Sequence, residues 1–110
     1  MGITPEPAIA DAMNRLWARF LPQMQERVST LEAAAAALNS GTLTPELREQ
    51  ASAEAHKLAG VLGTFGLHEG TELAREAEHA YKDDPGPAQN AADRLTGIAT
   101  RLRALIAARA

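Results

Sequence analysis

Apolar residues recur every three or four positions along most of the chain, and prolines and glycines cut that pattern into segments. Between Glu6 and Leu21 the apolar positions are Ile9, Met13, Leu16, Trp17 and Phe20, a helical spacing that Pro22 ends or kinks. Pro22 equally suits the first turn of a second helix, predicted over about Gln23 to Asn39 with Met24, Val28, Leu31, Ala35 and Leu38 on its apolar face. The run Ala33 to Ala37 lies in phase with that face and is a strong helix former.

Gly41 is placed to end this segment, and Thr44-Pro45 to cap and begin a third helix, about Pro45 to Leu62. Gly63 and Gly66 close it, with Gly66 read as a left-handed cap and Phe65 folded back onto the core. A fourth helix, about Leu67 to Tyr81, turns Leu67, Gly70, Leu73, Ala74, Ala77 and Tyr81 inward, and KDDPGP reads as a turn. The last helix, Pro87 to about Ala108, repeats Ala91, Leu95, Ile98, Leu102 and Leu105, with Arg101, Arg103 and Arg109 complementing its dipole. The expected fold is all-α: an antiparallel up-down four-helix bundle with an additional N-terminal helix over one end. One domain fills residues 1–110, after an irregular tail of about residues 1–5.

Composition supports this class. The chain is 45% apolar and alanine-rich, and its four aromatics (Trp17, Phe20, Phe65, Tyr81) form no strand-like run. A net charge of -3 with dispersed basic residues gives no stripe for a phosphate backbone, so no nucleic-acid partner is expected. Without cysteine there is neither a disulfide framework nor a thiolate metal site. No apolar run reaches the roughly 18 residues of a membrane span and no signal peptide is visible, so the expectation is a cytoplasmic protein without membrane contact.

The chemistry concentrates in AHKLAGVLGTFGL, Ala55 to Leu67. On the third helix Leu47, Ala51, Ala55, Leu58 and Leu62 share one narrow sector, and His56 points about 135° from its centre. A core histidine is therefore disfavoured by phase. The residues that can crowd His56 are Ser52, Ala53, Ala59, Gly60 and Gly63, all small, and they form a candidate docking face. Gly60 is informative, because an interior glycine costs a helix roughly 1 kcal/mol relative to alanine. Close packing of a second helix is the competing explanation. A phosphate-loop reading of Gly60, Gly63 and Gly66 fails, since no strand precedes them and no Lys-Ser/Thr pair follows.

Hairpin geometry puts residue 75 of the fourth helix at the level of His56, within a stripe of Thr71, Arg75, Glu78 and Lys82. Glu78 can accept a hydrogen bond from one ring nitrogen and leave the other as a nucleophile, or it can form an ordinary ion pair with Arg75 or Lys82. Lys57, Arg75 and Lys82 can steady a phosphoryl group or serve as plain surface charges. His56, His68 and His79 offer no ligand pair on one helical turn, so no metal or cofactor is expected.

These residues resemble a histidine phosphotransfer domain, a four-helix bundle that exposes a histidine in a pattern H-x-L-K-G followed by a second glycine and a leucine. Here the pattern reads His56, Lys57, Leu58, Ala59, Gly60, then Gly66 and Leu67, and it departs at Ala59, where most members carry a lysine that contacts the phosphoryl group. The resemblance implies a phosphoryl carrier rather than an enzyme. His56 is the implied acceptor, Glu78 matches a glutamate that orients it in chemotaxis-kinase members, and Lys57 or Lys82 stands in for the missing lysine. The implied partners are a receiver domain, which supplies magnesium and the acidic pocket, and a sensor histidine kinase; no small-molecule substrate is implied. The alternative is a module of the same fold that docks such a partner without phosphotransfer, which the departure at Ala59 favours.

Overall fold

The computed structural model describes residues 6–109 and contains four α-helices and one 3-10 turn: α1 (Glu6–Asn39), α2 (Pro45–Thr64), α3 (His68–Lys82), the turn Gln89–Ala91, and α4 (Ala92–Arg109). The irregular tail expected over residues 1–5 lies outside the described residues. No strand occurs among them.

The two helices expected on either side of Pro22 are a single helix of 34 residues. A proline inside a helix removes one main-chain hydrogen bond and crowds the carbonyl four residues earlier. Packing overrides that local cost, because Trp17, Met24, Val28, Leu31, Ala35 and Leu38 keep one helical phase through Pro22 and are all buried. The N-terminal end of α1 is not a separate piece laid over the bundle. It outruns its neighbours, since Trp17 already meets Phe65 just beyond α2 and Arg109 at the end of α4. Ile9 and Leu16, expected inward, are consequently 57% and 38% exposed.

The other boundaries follow local chemistry. Thr44 accepts the amide of Leu47 at 3.1 Å, with Pro45 in the first turn of α2. Gly41 (φ 71°) and Gly66 (φ 73°) adopt the left-handed conformation. Each allows the paired terminal bonds that satisfy orphan carbonyls: Thr42 to Ala37 and Gly41 to Leu38 after α1, Leu67 to Leu62 and Gly66 to Gly63 after α2. Phe65 does fold back, its ring meeting Trp17 edge-on at 5.1 Å. The last helix starts later than expected, and its buried face carries Ala92, Leu95, Ile98, Ala99, Leu102 and Ile106, leaving Ala91 and Leu105 half-buried.

Contacts between helices pair low numbers with high. Arg27 bonds Glu54 between α1 and α2. Ser52 bonds the Glu78 carbonyl between α2 and α3. Arg94 and Arg101 bond Glu76 and Glu69 between α3 and α4. Arg103 bonds Glu32 between α1 and α4. Arg101 and Arg103 thus serve cross-helix pairs rather than the dipole of α4. α2 and α3 form the most extensive pairing. Gly70 permits it, because a Cβ there would sit 2.9 Å from Leu62 Cδ1 in the core.

Candidate functional site

Along α2, Ala51, Ala55, Leu58, Ala59 and Leu62 are buried, which turns His56 and Lys57 to the outside. The His56 side chain is 73% exposed. Its Nδ1 lies 2.8 Å from Glu78 Oε2, the carboxylate side chain being only 14% exposed. A carboxylate can only accept, so Nδ1 carries the proton of this bond, and in the neutral ring Nε2 keeps its lone pair. Glu78 has this imidazole as its side-chain hydrogen-bond partner rather than Arg75 or Lys82.

The reach of Glu78 has a simple origin. Ser52 with Glu78 and Ala59 with Thr71 bracket His56, placing its level on α3 near residue 75, as the hairpin geometry predicts. Helical side chains lean toward their own N-terminus, so a glutamate about one turn further along α3 comes back to that level.

An open groove of about 630 Å³ runs beside this pair. Ser52, Ala53, His56 and Lys57 of α2 line one wall, Glu78, Tyr81 and Lys82 of α3 the other, with Arg48 at its lower end. His56, Glu78, Lys57 and Lys82 are therefore brought together, and both lysines are exposed. Arg75 is exposed but does not line the groove. Burial pushes the Tyr81 phenol up to about 12, so Tyr81 stays protonated near neutrality and forms part of the groove wall.

The expected docking face divides. Ser52 and Ala53 border the groove, while Gly60 and Gly63 are exposed further along α2. A Cβ at Gly60 would meet nothing within 4 Å, so packing inside the chain does not require glycine there. Ala59 does not belong to the face. It is only 4% exposed, because it sits on the flank of the apolar sector that α3 covers, where the buried Thr71 hydroxyl donates to its carbonyl at 3.1 Å. Thr71, the first member of the expected stripe on α3, is likewise buried.

Periodicity missed Arg48. Its guanidinium donates to the carbonyls of Tyr81 and Asp83, each at 2.7 Å, at the end of α3. The available signal was the lack of a glycine just after Lys82 to close that helix. His68 and His79 are exposed on α3, and among the described residues no three His, Cys, Asp or Glu side chains cluster as metal ligands.

A family model described as "Hpt domain" matches residues 15–108. The chain belongs to the Hpt domain family. Hpt domains are phosphocarrier modules of two-component signalling. The Hpt match takes in all of α2 and α3, α4 up to its penultimate residue and most of α1, including the His56–Glu78 pair. The chain is also 39% identical over 67 residues to Protein RcaC of Microchaete diplosiphon, an alignment covering 61% of this chain and 10% of that protein. It therefore corresponds to about a tenth of that relative's length. No solved structure matches the chain. No described helix is long and apolar enough to cross a membrane.

Proposed function

We propose that this Hpt domain carries a phosphoryl group on His56 and exchanges it with the aspartate of a receiver domain. The observation that carries the reading is the 2.8 Å bond from Nδ1 to Glu78 on a side chain that is 73% exposed. Nε2 attacks phosphorus of the partner's aspartyl phosphate. The Nε2–P bond forms as the P–O bond to aspartate breaks, and the carboxylate leaves with the bonding pair. Nδ1 retains its proton, and Glu78 faces the positive charge that develops on the ring. Reversal returns the group to a receiver.

Lys57 and Lys82 steady the phosphoryl oxygens from either side of the groove, in place of a cation at position 59. Ser52, Ala53, Gly60 and Gly63 form the docking face, with Gly60 allowing the closest approach to the α2 backbone. The receiver supplies magnesium and the acidic pocket, and a sensor histidine kinase is the upstream source. The cytoplasm is the proposed location. The same reading takes the helices as an up-and-down bundle, which the reversed order of their cross-helix pairs supports.

The test is incubation with a phosphorylated receiver. Label is expected on the parent chain, acid-labile and base-stable, and absent from His56→Gln. Label that persists in His56→Gln would sink the reading, and partner binding without any label would favour a docking module that does not transfer.

A further inference from the structure

α1 and α2 both end on left-handed glycines that satisfy their last carbonyls. α3 ends differently. Its cap residue Asp83 is extended (φ -65°, ψ 137°), and no glycine follows until Gly86. The terminal carbonyls instead receive a side chain from another helix: Arg48 Nε donates to Tyr81 at 2.7 Å, and its Nη2 to Asp83 at 2.7 Å and Lys82 at 3.4 Å. A guanidinium suits this task, because its rigid fork presents several donors at once. The loop after α3 closes over the same group, since a Cβ on Gly86 (φ 97°) would lie 2.5 Å from Arg48 Nε.

One turn along α2 from Arg48, Ser52 Oγ donates to the Glu78 carbonyl at 3.3 Å. One turn further, His56 meets the Glu78 carboxylate. Arg48, Ser52 and His56 are thus consecutive i, i+4 rungs that join α2 to the C-terminal half of α3. We propose that Arg48, assisted by Ser52, is a positioning residue that sets the axial register of α3 and thereby the tautomer of His56; its role in transfer rests on the phosphocarrier reading above.

The tolerance is small. A residue rises 1.5 Å along a helix, and a displacement of Glu78 by about 1 Å along the Nδ1···Oε2 line would stretch the His56–Glu78 bond beyond the range in which an N–H···O contact counts as a hydrogen bond. α3 has only 15 residues, so its termini govern where Glu78 lies. Arg48 touches neither the reacting nitrogen nor the phosphoryl group in this scheme and acts through Glu78.

The experiment reads the imidazole nitrogens of His56 by 15N NMR in the whole chain, with the ring neutral, for the parent, Arg48→Gln, Arg48→Lys and Ser52→Ala. Nδ1–H is expected to dominate in the parent. Arg48→Gln should lower the ratio of Nδ1–H to Nε2–H forms by about tenfold, the scale of a lost charged hydrogen bond, at unchanged helicity. Arg48→Lys should fall between the two. A folded Arg48→Gln that keeps the parent ratio overturns the proposal. If Arg48→Gln does not fold, Ser52→Ala decides: a lowered ratio upholds it and a parental ratio overturns it. The ratio is read without a partner. A parent that takes no phosphoryl group from a receiver therefore overturns the carrier reading, while a ratio that responds to Arg48 still upholds its positioning role.

Discussion

His56 Nδ1 and Glu78 Oε2 stand 2.8 Å apart although 22 positions separate the two residues in the chain. The bond engages Nδ1 of a ring that is 73% exposed, and the carboxylate itself is largely covered. One residue is thus oriented by another that solvent barely reaches. Glu78→Gln keeps an acceptor oxygen but removes the charge, whereas Glu78→Ala removes both. Transfer from a phosphorylated receiver is expected to slow about tenfold in Glu78→Ala, with Glu78→Gln intermediate, measured as initial rates of label gain. Equal rates in all three proteins would disconnect Glu78 from the chemistry.

Gly60 and Gly70 respond oppositely to the same change. At Gly60 a methyl group meets open space, so Gly60→Ala should raise stability by roughly 0.5–1 kcal/mol in urea unfolding through helix propensity alone. At Gly70 the methyl comes within 2.9 Å of the buried Leu62 Cδ1, and Gly70→Ala should cost roughly 1–3 kcal/mol by overpacking the α2–α3 seam. If the docking face is used, Gly60→Ala also weakens receiver binding while the fold gains stability. That combination separates a surface role from a structural one.

Gly66 isolates backbone strain. A Cβ there meets nothing within 4 Å, yet its φ of 73° is left-handed. Gly66→Ala should therefore lose roughly 1–2 kcal/mol without any clash, lowering the urea midpoint at unchanged m-value.

Three glutamates link stability to acid. Hydrogen bonds from Arg103, Arg101 and Arg94 hold Glu32, Glu69 and Glu76, in that order, below the ordinary value of 4.5. A depressed folded value stabilises the chain above the unfolded value, and that stabilisation disappears as pH falls through the folded values. The urea midpoint should hold steady from neutrality to about pH 5 and then decline below 4.5, more shallowly in high salt because these pairs lie near solvent. Arg103→Gln should lessen the decline, and an acid limb identical to the parent's would remove the Glu32 pair from its causes.

Much of the fold and the outward placement of His56 are legible in the sequence. Thr44-Pro45, Gly41 and Gly66 mark helix ends by chemistry within a few residues of themselves, and each operates as expected. The outward phase of His56 follows from where Ala51, Ala55, Leu58 and Leu62 stand on the same helix. Glu78 was legible as one member of a stripe, but spacing alone left its partner open between His56 and a cation, and only the resemblance pointed to His56.

What the sequence determines alone is whatever depends on neighbours up to about one helical turn away: the helix ends marked by Gly41, Thr44 and Gly66, the apolar face of α2, and the side of α2 on which His56 stands. Only the tertiary structure decides which flank a second helix covers. It carries α1 through Pro22, because a continuous buried seam outweighs one missing hydrogen bond. It buries Ala59 under α3 and brings Arg48 to the carbonyls of Tyr81 and Asp83. These are contacts between residues far apart in the chain, set by how two helices slide and rotate against each other, and a periodicity within one helix holds no record of that motion.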